Sequence, residues 1–234
     1  MSTLLHVEDL VSSIGSYTIL QGVSVEVSHG EAITILGRNG AGKTTFLKTI
    51  MGLVTTRSGA LEFAGESLPG MPTYAIQRRG IGYVPEDYGI FDMLTVEENL
   101  RIAMWREDAP TREREEYVLS LFPDLRIAYK RLAKALSGGQ RQMLSIGRAL
   151  VNDHKLLLID EPSKGLAPVI IETLAEALRA IRTHTTIVLV EQNFALACAV
   201  GQRYYIINEG RTVHNGTIAE LIEDHELQAT YLGV

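Results

Sequence analysis

Three observations predict a mixed α/β fold for this 234-residue chain: an apolar run that leads through a glycine-rich loop into a helix, a second apolar run that ends in two carboxylates, and a polar, helix-patterned stretch between them. The first run, Ala32-Ile33-Thr34-Ile35-Leu36, reads as a buried strand, and Thr45-Phe46-Leu47-Lys48-Thr49-Ile50-Met51 has helical spacing. Between them lies Gly37-Arg38-Asn39-Gly40-Ala41-Gly42-Lys43-Thr44. Glycines at 37, 40 and 42 let the backbone turn tightly and aim successive amides inward, a nest for phosphate oxygens backed by the positive end of the helix dipole. In a loop of this pattern Lys43 reaches the β- and γ-phosphates and the Thr44 hydroxyl ligates magnesium, so the segment predicts nucleoside triphosphate binding.

The second run, Leu156-Leu157-Leu158-Ile159-Asp160-Glu161, reads as a central parallel strand covered on both faces, with its acids at the C-terminal end where ligands bind in open α/β sheets. Asp160 is placed to hold the metal, directly or through water. Glu161, one residue on, is placed to polarise an attacking water as general base.

The stretch between them, from about residue 85 to 150, is helical and polar, and its charged run Thr111-Arg112-Glu113-Arg114-Glu115-Glu116 reads as a solvated helix face. Near its end, Leu136-Ser137-Gly138-Gly139-Gln140 opens a further helix with Ser137 near the N-cap and amides free for an anion. One chain then carries two phosphate-directed helix starts, which a single nucleotide cannot easily use.

The flanks are read by pattern. Residues 5 to about 82 alternate short apolar strands with turns such as Ser28-His29-Gly30 and Arg57-Ser58-Gly59. A helix from Pro168 buries Ile170, Ile171, Leu174, Leu178 and Ile181 at three- and four-residue steps. Asn208-Glu209-Gly210 signals a hairpin, and Thr217-Ile218-Ala219-Glu220 a capping box that opens a last helix.

Composition bounds the function. A net charge of −6 argues against a nucleic-acid partner held by backbone electrostatics. The single cysteine, Cys198, allows no internal disulfide and reads as a small buried helix residue in a reducing compartment. The six histidines, at 6, 29, 154, 184, 214 and 225, show no metal-ligand spacing and read as surface or strand-end residues. No basic leader opens the chain and no run approaches a membrane span, so any pore belongs to another chain.

Residues 37–44, 137–140 and 156–161 together resemble the ATPase subunit of ATP-binding cassette (ABC) transporters, over essentially the whole chain. The resemblance implies a P-loop NTPase (RecA-like) core, residues 1–84 and 151–234, with an N-terminal antiparallel β portion and an inserted α-helical signature subdomain, residues 85–150, in one domain, 1–234. ATP and Mg2+ are the implied ligands. Gly37, Arg38, Asn39, Gly40, Ala41, Gly42, Lys43, Thr44 and Thr45 would hold the ATP, and Thr44, Asp160 and Glu86 the metal. Ser137, Gly138, Gly139 and Gln140 would close over ATP held by the opposing subunit. Ile14 stands at the family's adenine-contact position, while Tyr17 is off register and reads as a half-buried strand-end residue.

This chain also departs from the family. Pro162-Ser163-Lys164-Gly165-Leu166-Ala167-Pro168 lacks the usual D-loop aspartate, Glu86 replaces the Q-loop glutamine, and Gln192 replaces the switch histidine. Val84-Pro85-Glu86 and Val190-Glu191-Gln192-Asn193 resemble the LivF-type subunits of branched-chain amino-acid importers, with urea or amide importers close behind. Gln192 can still donate a hydrogen bond to the γ-phosphate, a weaker one than a charged donor gives, so Glu86, Gln192 and the base Glu161 form the expected catalytic set, with slow intrinsic turnover. The implied partners are a second ATPase subunit, either a copy of the chain or a LivG-like sister, two transmembrane permease subunits and a periplasmic or extracellular substrate-binding protein. The implied location is the cytoplasmic face of the inner membrane. Tyr88, Ile90, Phe91, Met93 and Leu94 occupy the region where the family receives a short helix of the membrane subunit, with about half of these side chains expected to be spent on internal packing. Two other readings stay open: a non-transport ATPase of the same fold, and a nucleotide-binding regulator with weak turnover.

Overall fold

The computed structural model describes residues 2–233; Met1 and Val234, the ends of the expected domain, lie outside them. Strands β1 (Thr3–Ile14) and β2 (Tyr17–Ser28) form a long hairpin whose two-residue turn uses Gly15 at φ +59°. After β3 (Ala32–Leu36) and α1 (Lys43–Ile50), β4 (Thr55–Phe63) pairs with β1 and the short β5 (Glu66–Ser67) completes a four-stranded antiparallel sheet, in the order β2-β1-β4-β5. The turn expected at Arg57-Ser58-Gly59 is instead part of β4, where Gly59 lies opposite a bulge of β1 at Asp9 and Leu10. There Gly59 (φ +91°) faces Asp9 of β1, itself at φ +46°, and a Cβ at Gly59 would lie 2.4 Å from the Asp9 carbonyl oxygen. A glycine within a strand pattern marks a close backbone approach as readily as a reversal.

Helix α2 (Thr73–Arg78) leads into β6 (Ile81–Val84), and four helices follow: α3 (Val96–Ala103), α4 (Ala109–Leu121), α5 (Pro123–Ile127) and α6 (Gly138–Leu150). Polar caps set the starts of three of these: Thr95 with Glu98 for α3, Asp108 for α4, and Ser137 with Gln140 for α6. The chain continues through β7 (Leu156–Asp160), α7 (Pro168–Ile181), β8 (Thr186–Val190), α8 (Phe194–Val200), β9 (Arg203–Asn208) and β10 (Arg211–Thr217). Thr217 and Glu220 do form the expected capping box, opening α9 (Ile218–Glu223). That helix is not the last, because Asp224 caps a further turn, α10 (His225–Leu227), which runs on as a π-type turn over Gln228–Leu232.

The second sheet runs β10-β9-β3-β8-β7-β6, parallel except for β10. Its central strands are buried throughout, and their period-2 alternation divides them between two cores. Leu157, Ile159, Ile187 and Leu189 pack with the helical elements, including Leu100, Val118 and Leu144. Leu156, Leu158, Val188, Val190, Ile33 and Ile35 pack with α1 and the antiparallel sheet. Each fully buried Val, Leu or Ile contributes about 1.5–3 kcal/mol, so these runs fix both the register and the carboxyl end of the sheet where β3 and β7 deliver their loops.

Other expectations needed adjustment. Ile170 and Ile171 are only half-buried, because α7 turns its first turn toward the surface while Leu174, Leu178 and Ile181 fill the core. Tyr17 is 76% exposed rather than half-buried, since it sits beside the hairpin turn and pairs across it with Ile14. Cys198 is partly buried, its thiol pushed up to about 11 by desolvation. His154 is the histidine that differs from the surface reading: it packs edge-on against Trp105 and burial pushes its imidazole down to about 4. Among the described residues no helix is long and apolar enough to cross a membrane.

Candidate functional site

The loop between β3 and α1 is built as a concave backbone. Gly37 (φ +145°) allows no side chain, since a Cβ there would lie 2.2 Å from the Ile207 carbonyl oxygen. Gly42 (φ +109°) precedes α1 with no side-chain cap, which leaves the first amides of that helix to an external acceptor. The β9–β10 turn supports the loop from behind, as Gly210 N–H donates to the Ala41 carbonyl at 2.9 Å while the Gly210 carbonyl accepts from Gln21 N–H. Glu209 (φ +48°) and Gly210 (φ +74°) are both left-handed, as a two-residue hairpin turn of this hand requires.

Behind the loop the polar groups converge. The buried Lys43 ammonium donates to the Gly37 carbonyl at 2.9 Å and the Arg38 carbonyl at 3.3 Å, and stands 3.2 Å from Glu161 Oε1. Thr44 Oγ1 donates to Asp160 Oδ1 at 3.0 Å, and Tyr83 Oη to Asp160 Oδ2 at 3.3 Å. Burial raises the Asp160 carboxyl to about 6. Those two hydrogen bonds oppose that rise, and the neighbouring charges of Glu161 and Glu86 add to it. Glu161 itself is left-handed at φ +44°, an uncommon conformation for a glutamate, and its N–H donates to the Val190 carbonyl at 2.9 Å. The strand end is thereby turned so that Glu161 faces Lys43 while Asp160 faces Thr44.

Glu86 carries an ion pair with Lys164, which joins the segment after β6 to the segment after β7. Gln192 is exposed, with its N–H donating to Glu191 Oε2 at 2.9 Å. Ile14 is 52% exposed next to Tyr17, so the hairpin tip offers both side chains to solvent. Arg38, Asn39 and Gly40 are exposed at the crest of the loop, Ala41 is buried under it, and Thr45 is half-buried with its carbonyl accepting from Thr49 Oγ1. All oxygen donors, with Thr44 and Asp160 already adjacent, suit a hard divalent cation.

Residues 137–140 lie apart from this cluster. Ser137 Oγ accepts from Gln140 N–H at 3.3 Å and Gln140 Oε1 from Ser137 N–H at 3.1 Å, and among the described residues no hydrogen bond of this segment reaches the 37–45 loop. Ser137 and Gly138 are exposed, whereas Gly139 is buried against α7, where a Cβ would lie 2.7 Å from Ile170 Cγ2. One chain therefore brings together Lys43, Thr44, Asp160 and Glu161 but not the second glycine motif.

Three residues outside the sequence-derived set complete the site. Tyr83 orients Asp160, Glu191 joins the loops after β7 and β8, and the fully buried Asn99 holds the 91–95 loop. Asn99 accepts from Phe91 N–H and donates to the carbonyls of Phe91, Leu94 and Thr95, which leaves Phe91 and Met93 outside at 47% and 68% exposure while Ile90 packs inward. Only Glu191 left a trace in the sequence, an acid after an apolar strand.

Comparison with known proteins places this geometry. The chain is 41% identical over 98% of its length, and over the whole of the relative, to a high-affinity branched-chain amino acid transport ATP-binding protein, BraG, of Pseudomonas aeruginosa. It is 36% identical over 92% of its length, and 93% of the relative, to a probable branched-chain amino acid transport ATP-binding protein, LivF, of Archaeoglobus fulgidus. Among solved structures, the ATP-binding subunit of an ABC transporter superimposes with a TM-score of 0.82 at 30% identity, covering 98% of this chain and 96% of the other. Residues 20–164 match the ABC transporter family, and the chain belongs to that family as an ATP-hydrolysing cassette subunit.

Proposed function

We propose that this cassette powers an importer of branched-chain amino acids, working as one half of a two-subunit ATP sandwich. The observation that carries the sandwich is the separation of the two phosphate-directed helix starts: the α1 start is backed by Lys43, Asp160 and Glu161, while the exposed α6 start makes no hydrogen bond to it among the described residues. Each complete site then consists of residues 37–45, Asp160 and Glu161 of one subunit with Ser137, Gly138, Gly139 and Gln140 of the other. The high identity to BraG and LivF over nearly the whole chain supports the cargo class.

In this reading the 37–42 amides and the α1 N-terminus hold the phosphates, and Lys43 turns from Glu161 and the loop carbonyls toward the β- and γ-oxygens. Thr44, Asp160 and Glu86 would hold Mg2+, which would supply charge neutralisation at the phosphates. Glu161, released from Lys43, accepts the proton of the attacking water, and Gln192 donates to the γ-phosphate as its oxygens gain charge. Ile14 contacts the adenine. ATP closes the dimer, hydrolysis reopens it, and the helical subdomain, residues 85–150, passes the motion from the core, residues 1–84 and 151–234, to two permease subunits through the Phe91 and Met93 surface. A substrate-binding protein outside the membrane delivers the cargo, the cassette sits on the cytoplasmic face of the inner membrane, and the second cassette is a LivG-like sister or a further copy.

Glu161→Gln tests the sandwich. Hydrolysis is expected to fall by about three orders of magnitude with ATP still bound, and light scattering to detect a MgATP-dependent dimer with the sister subunit or with itself. A variant that binds ATP and remains monomeric in every pairing overturns it. Uptake of labelled leucine against labelled urea by the co-purified complex decides the cargo.

A further inference from the structure

Glu191 immediately follows the fully buried β8 and is itself 1% exposed. It makes no ion pair among the described residues, and its three hydrogen bonds all come from backbone amides of two separate loops. Oε1 accepts from Ser163 N–H at 3.0 Å, and Oε2 accepts from Gln192 N–H at 2.9 Å and Asn193 N–H at 2.8 Å. Ser163 lies two residues beyond the general base Glu161. Asn193 in turn caps α8, its Oδ1 accepting from Leu196 N–H at 3.0 Å. Glu161, Ser163, Lys164, Glu191, Gln192 and Asn193 together line one cavity of about 270 Å3.

From this arrangement we infer that Glu191 is a positioning residue, whose carboxylate fixes the backbones of Ser163 and Gln192 to one another so that the loop after the base and the switch residue move as one unit. With the groups on both sides of it anchored, Gln192 keeps only its side-chain rotations free, and little further ordering is needed to place its amide on a phosphate oxygen. Three amide donors converge on the two carboxylate oxygens; burial raises the carboxyl above its ordinary range, and those bonds oppose the rise without cancelling it. A glutamine at this position keeps the shape but turns an N–H2 toward one set of amides, losing acceptance on one arm. This chain departs from the wider family's usual pattern at both the D-loop aspartate and the switch histidine, and the buried glutamate is the link by which these substituted loops stay in register. The inference rests on the proposed role of Gln192 only for its kinetic consequence, not for the hold on the two loops.

Hydrogen exchange on the full-length chain tests the hold directly. Glu191→Gln is expected to speed exchange of the Ser163, Gln192 and Asn193 amides by about tenfold or more, with the other β7 and β8 amides within about twofold of the parent. In the co-purified transporter complex it should lower kcat about tenfold with KM for ATP within about twofold, and in a Gln192→Ala background it should cost less than about twofold. Unchanged exchange at those three amides, or an equal loss of kcat in both backgrounds, overturns the inference. Should Glu191→Gln fail to fold, Glu191→Asp, which keeps the charge on a shorter stem, is measured the same way and is expected to free the Ser163 amide first; protection of all three equal to the parent overturns the proposal. A Gln192→Ala variant with parental kcat would instead overturn the reading of Gln192 as the phosphate donor, leaving the exchange result to decide for Glu191.

Discussion

The starts of α1 and α6 are both glycine-rich helix N-termini, yet they are finished in opposite ways. At α1 no side chain caps the helix, the loop is locked by contacts from β2, β9 and the β9–β10 turn, and an ammonium and two carboxylates stand behind it. At α6, Ser137 and Gln140 satisfy each other in a closed capping box at the surface. The first is preorganised for an anion and incomplete without one; the second is complete alone, and in the proposed sandwich it would lend its exposed face to a ligand held by the other subunit. An active site divided between two chains needs this asymmetry. The half that captures ATP must be formed before the partner arrives, and the half that closes over it must be stable while it waits.

Substitutions can break the contrast at either end. Lys43→Ala should have the largest effect, because it leaves the partly buried Glu161 carboxylate without its cation and facing the phosphates; ATP affinity by calorimetry is expected to fall by more than about a hundredfold. Ser137→Ala removes the cap and the surface hydroxyl together. It is expected to lower kcat about tenfold or more while ATP binding by the separated subunit stays within about twofold, and an equal loss of both would erase the distinction between the two helix starts. Gly139→Ala drives a methyl into Ile170 and should destabilise the chain by about 1–3 kcal/mol in denaturant titration. The smallest expected change is a gain: Gln192→His, offering a charged donor, should raise turnover about two- to fivefold, and a parent chain faster than the variant would reverse the argument.

Both helix starts were legible in the sequence because each is a contiguous run whose chemistry is local: glycines, a lysine and a hydroxyl after an apolar strand, or a serine three residues before a glutamine. The strand ending in Asp160 and Glu161 was legible for the same reason, as a short unbroken apolar run that ends in two adjacent acids is also a contiguous, local pattern. What stayed hidden depends on which strands become neighbours. Tyr83 reaches Asp160 only because β6 lies beside β7, and Glu191 reaches Ser163 only because β7 lies beside β8. Gly59 looked like a turn since nothing local distinguishes a reversal from a strand residue facing a bulge at Asp9, and Tyr17 looked half-buried since its place beside a tight turn is fixed by pairing with Ile14. The single-sequence pattern also could not foretell that Asn99, in an apolar helix face, would turn its amide toward a loop.

That amide has a consequence for how the surface ages in solution. The 91–95 loop shows an aromatic and a methionine to solvent, which makes it a tempting target for a chymotrypsin-like protease. Cleavage requires the substrate to be peeled off and paired as a strand in the protease cleft, and the Phe91 N–H and carbonyl are both already taken by Asn99. The loop is therefore expected to resist limited chymotrypsin digestion in the parent chain and to be cut faster in Asn99→Ala.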